Sequence, residues 1–138
     1  MSNSALQSQS STWMPVPVES LPAPHFRYSP IVRCGSLLFV SGMVALDPET
    51  GGLLKGGLAA QTQRIFDNLE NACIELGVER RQLMLVRVYC ADFAEFGAFN
   101  AVWENNFKDQ TPPARTSVGV SALPLGALIE MEFQFAIE

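Results

Sequence analysis

The chain has 138 residues, a net charge of −5, 48% hydrophobic residues and only 17% charged ones. That length fits one domain, and the nine scattered Lys and Arg do not form the clustered basic face on which nucleic-acid binding relies, so no nucleic acid is expected as partner. The longest apolar runs, Leu37 to Val40 and Leu83 to Val86, fall far short of the roughly 20 residues that a membrane-spanning helix needs, so no membrane is expected either.

Met1 to Thr12 is rich in Ser, Gln and Asn, with neither the basic nor the apolar part of a secretory signal, so a cytoplasmic protein is expected. Pro15, Pro17, Pro22 and Pro24 follow and exclude a regular helix. Residues 1–24 therefore read as a flexible polar and Pro-rich extension, and 25–138 as the domain. Two strands are predicted around Gly35-Ser36, whose turn chemistry suits a hairpin, the second running from Leu37 to Val44 with apolar residues on both parities. Asp47-Pro-Glu-Thr-Gly-Gly52 is a turn. From about Leu58 to Leu76, Ile65, Leu69, Ala72 or Cys73, and Leu76 recur at helical spacing, with Gln61, Arg64, Asp67, Asn71 and Glu75 on the other sides and Gly77 as the stop. Leu83 to Cys90 alternates as a strand. Asp92 suits the N-cap of a second helix, Phe93 to Phe107, with Phe96, Phe99, Trp103 and Phe107 along one side.

The last segment carries two more strands. Ile129, Met131, Phe133, Phe135 and Ile137 alternate with Glu130, Glu132, Gln134 and Glu138. Before them, Val118 and Val120 fall on one parity, Arg115 and Ser117 on the other. The short Pro/Gly connection predicts a hairpin. With the valines in the core, Arg115, Ser117 and Glu130 share the opposite face. The fold class is then α+β: a two-layer sandwich with a mixed sheet and two helices packed on one face. The uncovered face is too poor in charge for water alone and points to an oligomer. Cys34, Cys73 and Cys90 have neither metal-like spacing nor an even count and read as free thiols; with His25 as the one histidine, no metal is expected.

The order Arg27-Tyr28-Ser29-Pro30, Leu38-Phe-Val-Ser41-Gly42, Asp47-Pro-x-Thr-Gly51, Phe99-Asn100-x-x-Trp103, Pro113-Ala114-Arg115-Thr116 and Ala122-Leu-Pro-x-Gly-Ala-x-Ile-Glu130-x-Glu132 resembles the reactive intermediate deaminase (RidA/YjgF) family, also called the L-PSP group. The resemblance runs from about Arg27 to the C-terminus. It implies a chorismate-mutase-like protomer, a homotrimer with clefts between subunits, and no cofactor. The implied reaction is hydrolysis of enamine/imine compounds, such as 2-aminoacrylate and 2-iminopropanoate, to 2-keto acids and ammonia.

Carried over residue by residue, Arg115 matches the residue that holds the substrate carboxylate, a task suited to a planar, permanently charged fork. Glu130 matches the acid that activates water and returns the proton to the leaving amine. Tyr28, Ser41, Asn100 and Ser117 match positions that line the substrate. The structural alternatives stay open beside these: an Arg115 salt bridge to Glu130 or Glu132, a packing role for Tyr28, a bulge at Ser41-Gly42, a plain surface Asn100. Three departures stand out. Ser117 replaces a common Cys, which removes a thiolate nucleophile; Met43 stands where Gln is common, and Trp103 where Tyr is common. A non-catalytic trimeric binder of small carboxylates, a pathway-specific aminoacrylate or aminomuconate-type deaminase, and the ribonuclease in the L-PSP name are the competing functions.

Overall fold

The computed structural model describes residues 12–137. Its strands are β1 (Met14–Pro15), β2 (Ile31–Cys34), β3 (Leu37–Met43), β4 (Leu83–Cys90), β5 (Ala114–Gly119) and β6 (Ile129–Ala136), and its helices α1 (Leu58–Leu76) and α2 (Phe96–Asn106). The six strands form one mixed sheet in the order β1-β2-β3-β6-β4-β5. The α+β two-layer class expected from the sequence is the one observed. Residues 1–11 of the segment assigned as a flexible extension lie outside the described residues. Within residues 12–24, Met14 and Pro15 pair with Arg33 and Val32, and the Glu75 carboxylate of α1 accepts the backbone N–H groups of Glu19 (2.8 Å) and Ser20 (2.8 Å).

The core forms where the two helices meet the sheet. Ile129, Met131, Phe133 and Phe135 of β6 are at most 2% exposed. Each such side chain contributes about 1.5–3 kcal/mol by leaving water. Phe66 of α1 makes edge contacts with Trp103, Phe107 and Phe133, tying both helices to the central strand. Gly77 closes α1 in the left-handed conformation, as the sequence predicts. Gln61 does not lie on the polar side of that helix: it is buried, donates to the Leu54 carbonyl and accepts from the Leu128 backbone N–H, so its amide clamps two loops onto the helix. The second helix also starts later than Asp92 suggests. Phe93–Glu95 is a 3-10 turn, Asp92 makes no side-chain cap, and the α-helix begins at Phe96. Phe93 instead stacks on Phe96 (4.5 Å between centroids) and covers Gly119, where any Cβ would crowd it.

The expected C-terminal hairpin does not exist. β5 runs parallel to β4 at the sheet edge, while β6 pairs antiparallel with β4 on its other side and with β3. The chain passes over the end of β4 between them, so the nine residues linking the strands form a crossover rather than a turn. The expected sharing of a face fails for the same reason. Val88 stands in register with both Ser117 and Met131, and Tyr89 with both Val118 and Glu130. Arg115 and Ser117 therefore lie on the helix side of the sheet, with Val86 and Val88. Glu130, Glu132 and Val118 lie on the uncovered side.

Candidate functional site

Two sets of polar side chains result, one on each side of the sheet. On the uncovered side, β3 bulges between Val40 and Met43, which pair with Phe133 and Met131 of β6. The extra residue pushes Ser41 and Gly42 toward Glu130. Gly42 is the position that permits this, because a Cβ there would collide with the Glu130 carboxylate. Glu130 is half-buried, and burial, then the neighbouring Glu132 charge, raises its carboxyl pKa above the usual range. Glu132 is otherwise engaged: Tyr89 donates its hydroxyl to it at 2.5 Å and Arg87 lies 3.9 Å away.

Tyr28, Ser41 and Glu130 share a cleft of about 310 Å³ with His25, Phe26 and Leu125. Ser41 spends its proton on the Ser29 carbonyl (2.7 Å), which fixes the loop carrying Tyr28. Tyr28 stands at the cleft half exposed. Leu125 adopts φ 61° in the turn Pro124–Gly126, a left-handed backbone that costs a non-glycine residue about 1–2 kcal/mol, and its side chain is 49% exposed at the cleft. Sequence reasoning missed His25, Phe26 and Leu125. The single histidine was a usable signal; an apolar wall supplied by loops leaves no periodicity to find.

On the helix side, the Arg115 guanidinium lies over three rings of α2, 4.8 Å from Trp103, 5.5 Å from Phe96 and 5.6 Å from Phe99. Its Nη1 donates to Asn100 Oδ1 at 2.9 Å. Partial desolvation lowers the guanidinium pKa below its ordinary value, with Glu104 acting the other way. Neither salt bridge weighed for Arg115, to Glu130 or to Glu132, is formed. Ser117 Oγ is buried and has no partner among the described residues. Thus the structure groups Arg115, Asn100 and Ser117 in one place and Tyr28, Ser41 and Glu130 in another. The first set offers an exposed cation with free donors, the second a carboxyl of raised pKa in a mostly apolar cleft.

Among the described residues no group of three or more His, Cys, Asp or Glu is placed to hold a metal, and no helix is long and apolar enough to cross a membrane. The family model described as endoribonuclease L-PSP matches residues 18–137. A RutC family protein of Pyrococcus abyssi is 38% identical over 114 residues, covering 83% of this chain and 89% of that one. Among solved structures, RidA from an Antarctic Psychrobacter matches with a TM-score of 0.82 at 31% identity, covering 90% of this chain and 99% of that one. The YjgF gene product of E. coli matches with a TM-score of 0.83 at 28% identity, covering 91% and 99%. The bulged β3, the crossover from β5 to β6 and the two separated polar sets are thus those of a chain that belongs to the endoribonuclease L-PSP family, the group that includes the RutC and Rid proteins.

Proposed function

We propose that the chain is a hydrolytic deaminase of reactive enamine/imine compounds of the 2-aminoacrylate and 2-iminopropanoate type, acting as a homotrimer with each site shared between neighbouring copies. One observation carries this reading: the cation suited to a carboxylate and the carboxyl suited to proton transfer lie on opposite faces of one sheet. Within a single copy they cannot hold one three-carbon molecule. Where the uncovered face of one copy meets the edge strand of the next, Arg115 from one and Tyr28, Ser41 and Glu130 from the other can.

In that junction Arg115 holds the substrate carboxylate through two N–H groups. Tyr28 covers the substrate and Ser41 keeps the Tyr28 loop in place. An enamine first takes a proton at its β-carbon and becomes the iminium, its nitrogen now carrying the positive charge. Glu130 then accepts a proton from water as the water oxygen bonds to the imine carbon and the C=N bond becomes a C–N bond. Glu130 returns that proton to the nitrogen of the resulting carbinolamine, then takes the hydroxyl proton as the C=O bond forms and the C–N bond breaks, and the 2-keto acid and ammonia leave. A carboxyl with raised proton affinity suits these transfers. Ser117 offers no thiolate, which favours this direct hydrolysis over a covalent route.

Met43, which lines the hollow adjoining the cleft at Tyr28, Ser41 and Gly42, and Trp103 beneath Arg115 favour a narrower reading in the same class, a pathway-specific aminoacrylate or aminomuconate-type deaminase. Cleavage of RNA has less support, because the cleft's charged group is a carboxylate and the chain is net acidic. The test generates 2-aminoacrylate from serine with a dehydratase and follows pyruvate release. Wild type should accelerate it, and Arg115→Ala and Glu130→Gln should each lose on the order of 100-fold. No acceleration by the wild type would overturn the general deaminase and leave the specialised enzyme or a non-catalytic carboxylate binder.

A further inference from the structure

Arginine is a long side chain with four rotatable bonds, and on an edge strand it ordinarily samples many rotamers. Arg115 does not have that freedom. Three rings from one stripe of α2, at positions 96, 99 and 103, lie under its guanidinium. With Phe93 they form a continuous row: Phe93 stacks on Phe96 at 4.5 Å, Phe96 on Phe99 at 4.9 Å, and Phe99 lies tilted beside Trp103 at 6.0 Å. The helix that carries these rings also carries Asn100, whose Oδ1 takes an Nη1 hydrogen at 2.9 Å. A ring beneath fixes the plane of the guanidinium; an acceptor at one corner fixes its rotation within that plane.

We propose that Trp103 and Asn100 are positioning residues for Arg115, holding its guanidinium over the indole so that the Nε–Nη2 edge is presented as a ready carboxylate fork. This rests on the deaminase reading only for its consequence in turnover; the positioning of the guanidinium rests on the rings and Asn100 around it. Asn100 thereby acts on the arginine rather than on the substrate. The substitution of Trp for the commoner Tyr also acquires a reason, because the indole is the strongest of the aromatic partners for a cation. A further consequence is optical. Trp103 is 5% exposed and lies 4.8 Å from the guanidinium carbon, so a carboxylate arriving on the other side of that group changes the field at the indole.

The test uses the full chain with Trp13→Phe, which leaves Trp103 as the one fluorophore of its type, and titrates it with pyruvate. Trp103 emission should change saturably, and Arg115→Ala should abolish the saturable part, leaving linear collisional quenching. In the otherwise unmodified chain, followed by calorimetry, Trp103→Leu should raise the pyruvate Kd roughly five- to tenfold, Trp103→Tyr about twofold, and Asn100→Ala roughly threefold. In turnover the same changes should appear in KM, with kcat moved less than twofold. Trp103→Tyr and Asn100→Ala keep the test decisive where Trp103→Leu does not fold. If pyruvate release from serine is accelerated but these variants leave both Kd and KM unchanged, the positioning role is wrong and the deaminase survives. If there is no acceleration while pyruvate binding still depends on Trp103 and Asn100, the deaminase reading falls and the positioning role survives. A linear fluorescence response in the Arg115-intact chain overturns the optical coupling.

Discussion

The Glu130 carboxylate lies where a Cβ on Gly42 would have to be. The glycine is thus a space reserved for a side chain of another strand. Gly42→Ala should fold, because nothing about that backbone requires a glycine, but Glu130 must move. A displacement of about 1 Å in a proton-transfer group costs on the order of 100-fold in rate. The expected result is a fall of that order in kcat/KM, measured on dehydratase-generated 2-aminoacrylate, with an unchanged circular dichroism spectrum. Full activity in Gly42→Ala would remove Glu130 from the chemistry.

Glu130 also fixes an expected pH dependence. Its carboxyl pKa is raised by burial and by Glu132, so the carboxylate is lost as pH falls through a value above the ordinary Glu pKa of about 4.3. The acid limb of the rate profile should lie correspondingly high, and Glu132→Gln, which removes the adjacent charge, should move it to lower pH. The linkage has the opposite sign for stability. The folded state binds this proton more tightly than the unfolded one, so ionised Glu130 destabilises the fold above its raised pKa and ceases to do so below the unfolded pKa. Glu130→Gln should therefore raise the Tm at pH 7, with the gain fading at acid pH. Thermal melts across pH check the sign.

Inactive variants should complement each other if sites are shared between copies. With Arg115→Ala and Glu130→Gln chains mixed one to one by co-expression, a junction is intact when its arginine comes from one variant and its glutamate from the other. Random assembly makes that true of about a quarter of junctions in a closed ring. Activity near a quarter of wild type is expected. No recovery, in oligomers shown by mass spectrometry to be mixed, would place both groups in one copy's own site.

The thiols should divide sharply. Burial raises the Cys73 pKa to about 11 and pushes Cys90 in the same direction, whereas Cys34 is exposed on β2. Only the thiolate reacts. A bulky disulfide reagent at neutral pH should titrate one thiol per native chain and three after denaturation.

Much of this fold was legible because its signals are local. The helical spacing of Ile65, Leu69 and Cys73, the stop at Gly77 and the alternation from Ile129 to Ile137 each depend on a few neighbouring residues. Strand pairing does not. A period of two says that Arg115 and Ser117 share a face, but not which face, and the valines offered a false guide. β5 is an edge strand, so Val118 on the uncovered side is 40% exposed. On the helix side, Arg115 finds a row of rings to lie on. An arginine stem and planar head cover apolar surface well, and that possibility has no signature in alternation. The separation of Arg115 from Glu130 followed directly from this one choice of face.

The place of β6 in the sheet has a consequence for biogenesis. It is the last strand in chain order, yet it lies between β3 and β4, and the strand pairing that joins the β1-β2-β3 part of the sheet to the β4-β5 part runs through it. Until residues 129–136 leave the ribosome, the earlier segments can form a hairpin and a helix pair but cannot close a sheet, and their apolar faces wait uncovered. Such waiting intermediates are prone to aggregate. A nascent chain stalled before Ile129 should be open to protease along its whole length, and protection should arrive in a single step when the final strand is released.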